Sequence, residues 1–432
     1  METIAAIATA PGRAGVAVVR VSGDDAFAVH ERLAGRAAEP GRIRALRVCG
    51  EECVVLAFKG PRSYTGEDVV EIQCHGGIVA PRRILDACFS AGARLAGRGE
   101  FTRRAFLNGR ITFEQAQAVI DLIDAKTDRA AEAALSGLAN ARSRDLAGVY
   151  DAILDISSVV EHALDVDEEE LPAAFMGDVE SRLAELGAKI GAALRRAREG
   201  EILREGALVV LAGEPNAGKS SLFNALVGDA RAIVSPVAGT TRDAIEAWLD
   251  IGGWPVRLVD TAGLRDTGDA VEAEGVARAK GRVAAADVVL ALSESDGDLP
   301  PPLHPWRKTL RVRSKCDIPS GASGADSPLC ALAVSAVTGE GLDELRLALA
   351  AALDGIAGER DCEDGGGEDS KLAVAALRHA AVAVADALRC AGDLVLAGNC
   401  LAKAASAIAA VTGARYSADL LDRLFSRFCV GK

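Results

Sequence analysis

The sequence predicts a multidomain chain of α/β and α parts, in which an α/β domain is inserted into a helical one. Three observations point there. The short, partly β-branched run from Ala207 to Ala212 leads into a glycine loop and then a helical stretch at 221–227, the strand–loop–helix unit of a parallel α/β domain. From Phe113 the composition turns rich in Ala, Leu and Glu and nearly free of Gly and Pro, and helical composition returns from Lys371 to Phe428. Ahead of both, residues 3–112 mix β-rich runs with two short helical stretches, an α+β block. At 432 residues the chain fits two to three domains of about 100–200 residues each. The expected division is 1–112, 113–205, 206–356, a Gly/Asp/Glu linker at 357–370, and 371–432. Such an insertion is tolerated because domain termini often lie close together.

In the first block, residues 3–9 and 15–21 read as strands about the turn Ala10-Pro-Gly-Arg13. Residues 24–33 read as a helix, 52–58 and 68–74 as strands, and 78–92 as a second helix. Arg20 and Glu71 each interrupt an apolar strand. Such charges usually point to solvent; the alternative is a polar pocket at the ends of the strands. Ala118, Ile120, Leu122 and Ile123 begin an apolar stripe of helical period, which 130–138 and 149–160 extend. The acidic run 165–172 reads as a solvated turn before a helix over 178–204.

The net charge of −13 argues against broad electrostatic binding of nucleic acid by the chain alone, though not against a local basic groove. Ten scattered cysteines form no paired C-x-x-C units, so reduced thiols are expected rather than a zinc site. The N-terminus has no basic leader and no apolar run is expected to reach a membrane span, which predicts a soluble, cytoplasmic protein.

Gly213-Glu-Pro-Asn-Ala-Gly-Lys-Ser220 fits G-x-x-x-x-G-K-[ST] in the strand-to-helix setting that motif needs. The glycines let backbone N–H groups face phosphate oxygens at the positive end of a helix. Lys219 would reach the β- and γ-phosphates and Ser220 would ligate Mg²⁺, with Asn216, Ala217, Gly218 and Ser221 completing the cradle. In Pro236-Val-Ala-Gly-Thr-Thr-Arg-Asp243, Thr241 is the expected second Mg²⁺ ligand. Asp260-Thr261-Ala262-Gly263 is the D-x-x-G element on the Mg²⁺ side, with the Gly263 N–H able to sense a γ-phosphate. Leu264 stands where Ras-like switches carry the Gln that orients water, so hydrolysis is slow or another group supplies that function. Spacing leaves Asp266, Asp269, Glu272 and Glu274 open for it. Ser314-Lys-Cys-Asp317 is a variant of N-K-x-D: Asp317 keeps the carboxylate that reads guanine, Lys315 can lie over the ring, and Ser314 loses contacts that a longer Asn makes. Val334-Ser335-Ala336 completes the set as the loop whose backbone touches the base.

The tail Phe428-Cys-Val-Gly-Lys432 places a cysteine four from the end, but Gly431 and Lys432 fit a prenylation box poorly. It reads as a buried thiol at a helix end, or as a thiol and terminal Lys presented to a substrate.

Taken together, Ala10-Pro-Gly-Arg-Ala-Gly-Val16, Tyr64-Thr-Gly-Glu-Asp68, His75-Gly-Gly77, Gly99-Glu-Phe-Thr102, Ala105-Phe-Leu-Asn-Gly109, the phosphate loop, Ala238–Asp243, Asp260–Arg265 and the Cys-Val-Gly-Lys tail resemble the MnmE (TrmE) family of tRNA-modification GTPases over essentially the whole chain. The resemblance implies a folate-binding N-terminal domain that dimerises, a helical domain and an inserted Ras-like P-loop G domain. It implies a homodimer working in a heterotetramer with MnmG, a flavoprotein using FAD and NADH. Together they would install aminomethyl or carboxymethylaminomethyl groups on C5 of the wobble uridine of tRNA, with a one-carbon unit from 5-formyl- or 5,10-methylene-tetrahydrofolate.

The same resemblance implies roles for single residues. Asn216, Ser235, Val237 and Thr240 would hold K⁺ where other systems place an arginine finger, with Ser235 and Thr240 also beside GTP. Glu272 aligns with a catalytic Glu that activates water indirectly. Arg20, Glu71, Arg110 and Lys432 align with folate-contacting or neighbouring basic positions, and Cys429 with a tail thiol proposed to act in modification. Departures are Ser314, the replacements Ser235 and Arg110, and a short 287–314 segment that leaves room for one fewer peripheral helix. Two rival readings are a ribosome-assembly GTPase of the Era or Der type, and a nucleotide-gated scaffold whose partner does the chemistry.

Overall fold

A computed structural model describes residues 2–139, 141–166, 172, 174–228, 232–233, 246–260, 286–294, 308–318, 332–359, 368–412 and 424–432. The chain divides into two units, one of 1–120, 137–140 and 415–432, the other of 121–136 and 141–414.

Unit one is built on β1 (Ile4–Ile7), β2 (Val16–Ser22), β3 (Ile43–Val48), β4 (Glu51–Phe58), β5 (Val69–His75) and β6 (Arg94–Leu95), in the order β3-β4-β5-β2-β1-β6. All neighbours run antiparallel except β1 with β6. Alternation along the strands sends Ala17, Val19, Val21, Val55, Ile72 and Cys74 to one face. There they pack against Ala26 and Val29 of α1 (Ala26–Ala34) and Ile84 and Cys88 of α2 (Val79–Ser90). The other face carries Ile4 and Ala6, which bury Phe101 of α3 (Glu100–Leu107) with Tyr64 against it. The sheet has two strands more than the sequence reading expects. β3 reads Ile-Arg-Ala-Leu-Arg-Val, two arginines three apart among apolar residues, which suits a charged edge strand rather than a buried one. β6 is only two residues long.

The tail belongs to this unit. Phe425 and Phe428 pack with Phe113, Ala116 and Ile120 of α4 (Phe113–Asp124), and Phe106 meets Phe113 edge-on at 6.3 Å. Main-chain bonds finish the seam: Gly99 N donates to Cys429 O at 3.4 Å, and Phe101 N to Lys432 O at 3.0 Å.

In unit two, α5 (Asp128–Leu138), α6 (Ala141–Leu164) and α7 (Phe175–Glu205) precede the phosphate loop, α7 ending where Gly206 interrupts it. A seven-stranded sheet follows: β7 (Ala207–Gly213), β8 (Ala232–Ile233), β9 (Glu246–Ile251), β10 (Trp254–Asp260), β11 (Val288–Ser293), β12 (Lys308–Arg313) and β13 (Leu332–Ala333), in the order β13-β12-β11-β7-β10-β9-β8. β7 pairs parallel with both β10 and β11, which is why it reads as a continuous apolar run. β9 is antiparallel to β10. One face of the sheet packs on α8 (Lys219–Val227) and α9 (Leu342–Glu359) around Leu211, Leu222, Trp254 and Leu353. Arg129 of α5 lies 3.9 Å over the Trp254 ring, whose Nε1 donates to Asp354 at 3.0 Å.

After the sheet, α10 (Glu368–Arg389) and α11 (Leu394–Thr412) pack with α6 and α7 around Ile153, Val160, Leu183, Ile190, Leu377 and Leu401. The helical core is thus assembled from segments on both sides of the inserted sheet. One expectation fails here: Leu394–Val411 is an 18-residue stretch of mean hydropathy 1.7, long and apolar enough to cross a membrane by length and composition. Its Leu401, Ala404 and Ile408 are buried in this helical core, and the small residues around them raise the hydropathy without bulk. The expected trimmed helix between Asp287 and Ser314 and most of the acidic run fall outside the described residues.

Candidate functional site

The phosphate loop is held by close approach of two strands. Gly213 has φ +150°, and a Cβ there would lie 2.3 Å from Leu292 O of β11, so only glycine lets β7 and β11 pair up to the loop. Asn216 and Gly218 both adopt left-handed backbone (φ +66° and +80°), which curls the loop before α8 begins. Lys219 is nearly buried and donates Nζ to Gly213 O at 2.9 Å and Glu214 O at 2.7 Å. The ammonium is therefore tied across the loop mouth before any phosphate arrives. Ser220 Oγ donates to Asp260 Oδ2 at 2.7 Å, and Asp260 is fully buried at the end of β10. A hydroxyl from the first turn of α8 and a carboxylate at the end of β10 thus meet, a set of hard oxygen donors.

The residues expected to read the base stand beside it. Ser314 donates N (2.9 Å) and Oγ (3.3 Å) to Ser293 O, and its Cβ lies 3.7 Å from where a Gly218 Cβ would be. Lys315 adopts φ +58° and pairs with Glu294. Ser335 is buried; its Oγ accepts from Val337 N and Thr338 N, closing the turn that carries Ala336. Asp317 lies exposed just past β12. The structure therefore gathers Asn216, Ala217, Gly218, Lys219, Ser220, Asp260, Ser314, Lys315, Asp317, Ser335 and Ala336 along the carboxyl ends of β7, β10, β12 and β13, with Ser221 one residue further into α8. Ser235, Val237, Thr240, Thr241, Thr261, Ala262, Gly263, Leu264, Asp266, Asp269, Glu272 and Glu274 lie outside the described residues.

A second polar site sits on the α3 face of unit one. Arg20 and Glu71 are direct cross-strand partners on β2 and β5. Arg20 donates Nε (2.9 Å) to Glu71 Oε1, with Nη2 at 2.8 Å, and the pair is only 16% and 20% exposed. The solvent-facing reading of these charges is overturned, because α3 and the tail cover that face. The Arg20 guanidinium also lies 5.3 Å from the Tyr64 ring centre and 5.6 Å from that of Phe101. Lys432 reaches the same place: burial first, and then the Arg20 charge, hold its ammonium below the usual lysine range, with Glu71 opposing. Arg110 is tied instead to the 61–68 loop, donating Nε to Ser63 O at 3.2 Å. Cys429 is exposed, whereas Cys53, Cys74 and Cys88 are buried. Burial pushes the Cys53 thiol up to about 11 and that of Cys88 up to about 12.

Residues 3–110 match the family model described as GTP-binding protein TrmE N-terminus, and 113–429 match the MnmE helical domain. Over its full length the chain is 41% identical to the tRNA modification GTPase MnmE of Symbiobacterium thermophilum, covering 99% of that protein. It is 44% identical to the same-named protein of Methylorubrum populi and 40% to that of Thermus thermophilus, covering 98% and 99% of them. The chain belongs to the MnmE family of tRNA modification GTPases.

Beside the family's motifs, the structure adds residues that sequence reasoning missed. Tyr64 and Phe101 are visible in the sequence only as motif letters; their role as walls around Arg20 needs the fold. Arg104 is 5% exposed and bonds Glu67 (3.0 Å) and Glu100 (2.9 Å), while Ser22 Oγ donates to Glu67 at 2.8 Å. Burial alone would raise the Glu100 carboxyl, but hydrogen bonds from Arg94, Gly97 N and Arg104 outweigh it and bring it to about 2. This buried ionic chain braces α3 and the 61–68 loop beneath the Arg20 site. Its signal in the sequence is the i,i+4 pair Glu100–Arg104.

The Ser314 departure yields a direct test. Its short side chain bonds Ser293 O rather than the phosphate loop, whose Gly218 lies beside it. Restoring the longer amide in Ser314→Asn adds a net hydrogen bond worth about 1 kcal/mol, so guanine-nucleotide affinity should rise about fivefold. Isothermal titration with GDP checks it; unchanged or weaker binding shows that the hydroxyl already suits this loop.

Proposed function

We propose that this chain is a K⁺-activated GTP hydrolase that, as a homodimer in a cytoplasmic heterotetramer with MnmG, drives addition of carboxymethylaminomethyl or aminomethyl groups to C5 of the tRNA wobble uridine. The observation that carries the hydrolase reading is the phosphate loop itself, with Lys219 across its mouth and Ser220 against buried Asp260. Hydrolysis is phosphoryl transfer to water: the bond from γ-phosphorus to the bridging oxygen breaks as the bond to water forms. Loop N–H groups and Lys219 hold the phosphate oxygens, and Asp317 selects guanine.

The residues present fit the implied ions. Ser220 with Asp260 offers oxygen donors for Mg²⁺, Thr241 being the further ligand in this reading. When bound, Mg²⁺ neutralises charge that develops on the transferring group. Asn216 is exposed on left-handed backbone at the loop tip, where it can offer an oxygen to K⁺ alongside Ser235, Val237 and Thr240. K⁺ would supply positive charge where other systems use an arginine. Glu272 would orient the attacking water, the role Leu264 cannot fill.

Arg20, beside the Tyr64 and Phe101 rings, with Glu71 and Lys432 near it, supports a tetrahydrofolate site. A paired guanidinium and carboxylate beside aromatic rings suits a flat ring bearing donors and acceptors, and the cations suit its anionic tail. Bound there, the folate would supply the one-carbon unit. The exposed Cys429 places a thiol on the same tail as Lys432.

Two measurements test the proposal. Glu272→Ala should bind GTP normally and hydrolyse it at least about 100-fold more slowly, and exchanging K⁺ for Na⁺ should also slow the wild type. Wild-type turnover in either case refutes the assignment. Cells lacking the gene should lose the modified wobble uridine in nucleoside analysis of their tRNA; its persistence would leave the Era- or Der-like reading.

A further inference from the structure

The acidity of the chain is unevenly divided. Unit one carries 20 Lys and Arg against 15 Asp and Glu, a net +5, so the chain total of −13 leaves −18 to unit two. Within unit one, arginines gather at the corner between α1 and the edge strand β3. Glu39 lies 3.1 Å from Arg36 Nη2 and 3.6 Å from Arg42 Nη1, and pairs closely with Arg44 Nη2. Three guanidinium groups on one carboxylate leave a surplus of two positive charges. The Arg44 hydrogen bond, ahead of the other arginine charges, holds the Glu39 carboxyl below its usual range, so it stays ionised.

These four residues line a partly open cavity with His30 and Leu46. His30 is only 2% exposed, and its Nδ1 has no hydrogen-bond partner. Arg44 Nε is likewise buried and unpartnered. Both residues line this cavity, so each keeps a nitrogen that a ligand there can meet. Burial pushes the His30 imidazole down, so it faces the cavity neutral and adds no charge of its own. Arg36 and Arg42 are 56% and 70% exposed, open to a large partner. Arg47 is exposed on the opposite face of β3 and adds only to the general positive charge of this edge.

A phosphate offers the same fork to guanidinium groups as a carboxylate, with more acceptor oxygens. We propose that Arg36, Arg42 and Arg44 form a binding site for a backbone phosphate of RNA, in which Glu39 is the internal carboxylate that the phosphate displaces. The proposal rests on the reading of this chain as acting on tRNA. An open, arginine-lined edge on the one positive unit of an acidic chain steers a polyanion to that edge and repels it elsewhere.

The test is binding of unmodified tRNA to the full-length protein, by fluorescence polarisation across a salt series. Arg36→Gln/Arg42→Gln should weaken binding about tenfold and reduce the slope of log affinity against log salt by about one to two. Glu39→Gln should tighten binding. Arg82→Gln/Arg83→Gln removes the same charge from exposed positions on α2 and should weaken binding much less. Inorganic phosphate should compete better than chloride at equal ionic strength on the wild type, and no better on the Arg36/Arg42 variant. The circular dichroism spectrum of every variant should match the wild type, which verifies folding. Unchanged affinity and slope in the Arg36/Arg42 variant, or equal loss in the Arg82/Arg83 variant, overturns the site while tRNA binding by the wild type keeps the functional reading. Tightening absent in Glu39→Gln overturns the displacement, and a wild type that does not bind tRNA overturns both.

Discussion

Lys219→Ala is expected to abolish GTP turnover without unfolding the protein. The ammonium is nearly buried and joins two carbonyls of its own loop, so it is in place before substrate binds and reorganises little during the reaction. Removing a preorganised charge aimed at transferring phosphate costs about 10²–10³ in kcat or more. The loop is otherwise built from its own backbone: the Gly213 approach to Leu292 and the left-handed turn at Asn216 and Gly218 do not use the lysine. Secondary structure by circular dichroism should therefore stay unchanged, while single-turnover hydrolysis falls away. Turnover within tenfold of the wild type would show that the loop binds phosphate in another way.

The second large effect is expected at the other end of the chain. Gly431 has φ +106°, and a Cβ there would lie 2.2 Å from Ile7 O and 3.0 Å from the Ala8 Cα. Those are backbone atoms of β1 and the residue after it, which cannot step aside without breaking the sheet. Gly431→Ala should therefore push the last residues off unit one, breaking the Phe101 N–Lys432 O bond and withdrawing Lys432 from Arg20 and Glu71. Losing one half-buried cation from an anion-binding site costs about 1.4 kcal/mol or more, so folate affinity should fall at least about tenfold. GTP hydrolysis should be unaffected, because the phosphate loop belongs to unit two. Calorimetric titration with 5-formyltetrahydrofolate decides it: wild-type affinity would show that the tail does not form part of that site.

Much of the G domain and of the helical core is legible in the amino-acid sequence. The phosphate loop is local, and each of its requirements (an apolar strand, glycines for left-handed backbone, a lysine opening a helix) is met by consecutive residues. The helical core shows in the composition on both sides of the insertion. The Arg20–Glu71 pair does not show, because two isolated charges on two strands carry no mark of facing each other. Their meeting depends on the β2–β5 register and on what covers that face. β3 escapes for a related reason: its arginines mask the period of a strand that sits at the edge. The apolar stretch of α11 shows the reverse error, since a hydropathy that suits a membrane also suits a helix packed on two others.

The sequence by itself determined the chemistry of the phosphate loop and the order of α+β, helical and α/β segments, because these rest on neighbouring residues and on short periods. Only the tertiary structure decided that the last nine residues fold back onto the first domain, and that a chain of net charge −13 carries one unit of +5 with an arginine corner. Both depend on residues hundreds of positions apart coming to share a surface, and charge acts over distances in space that a one-dimensional sum cannot resolve.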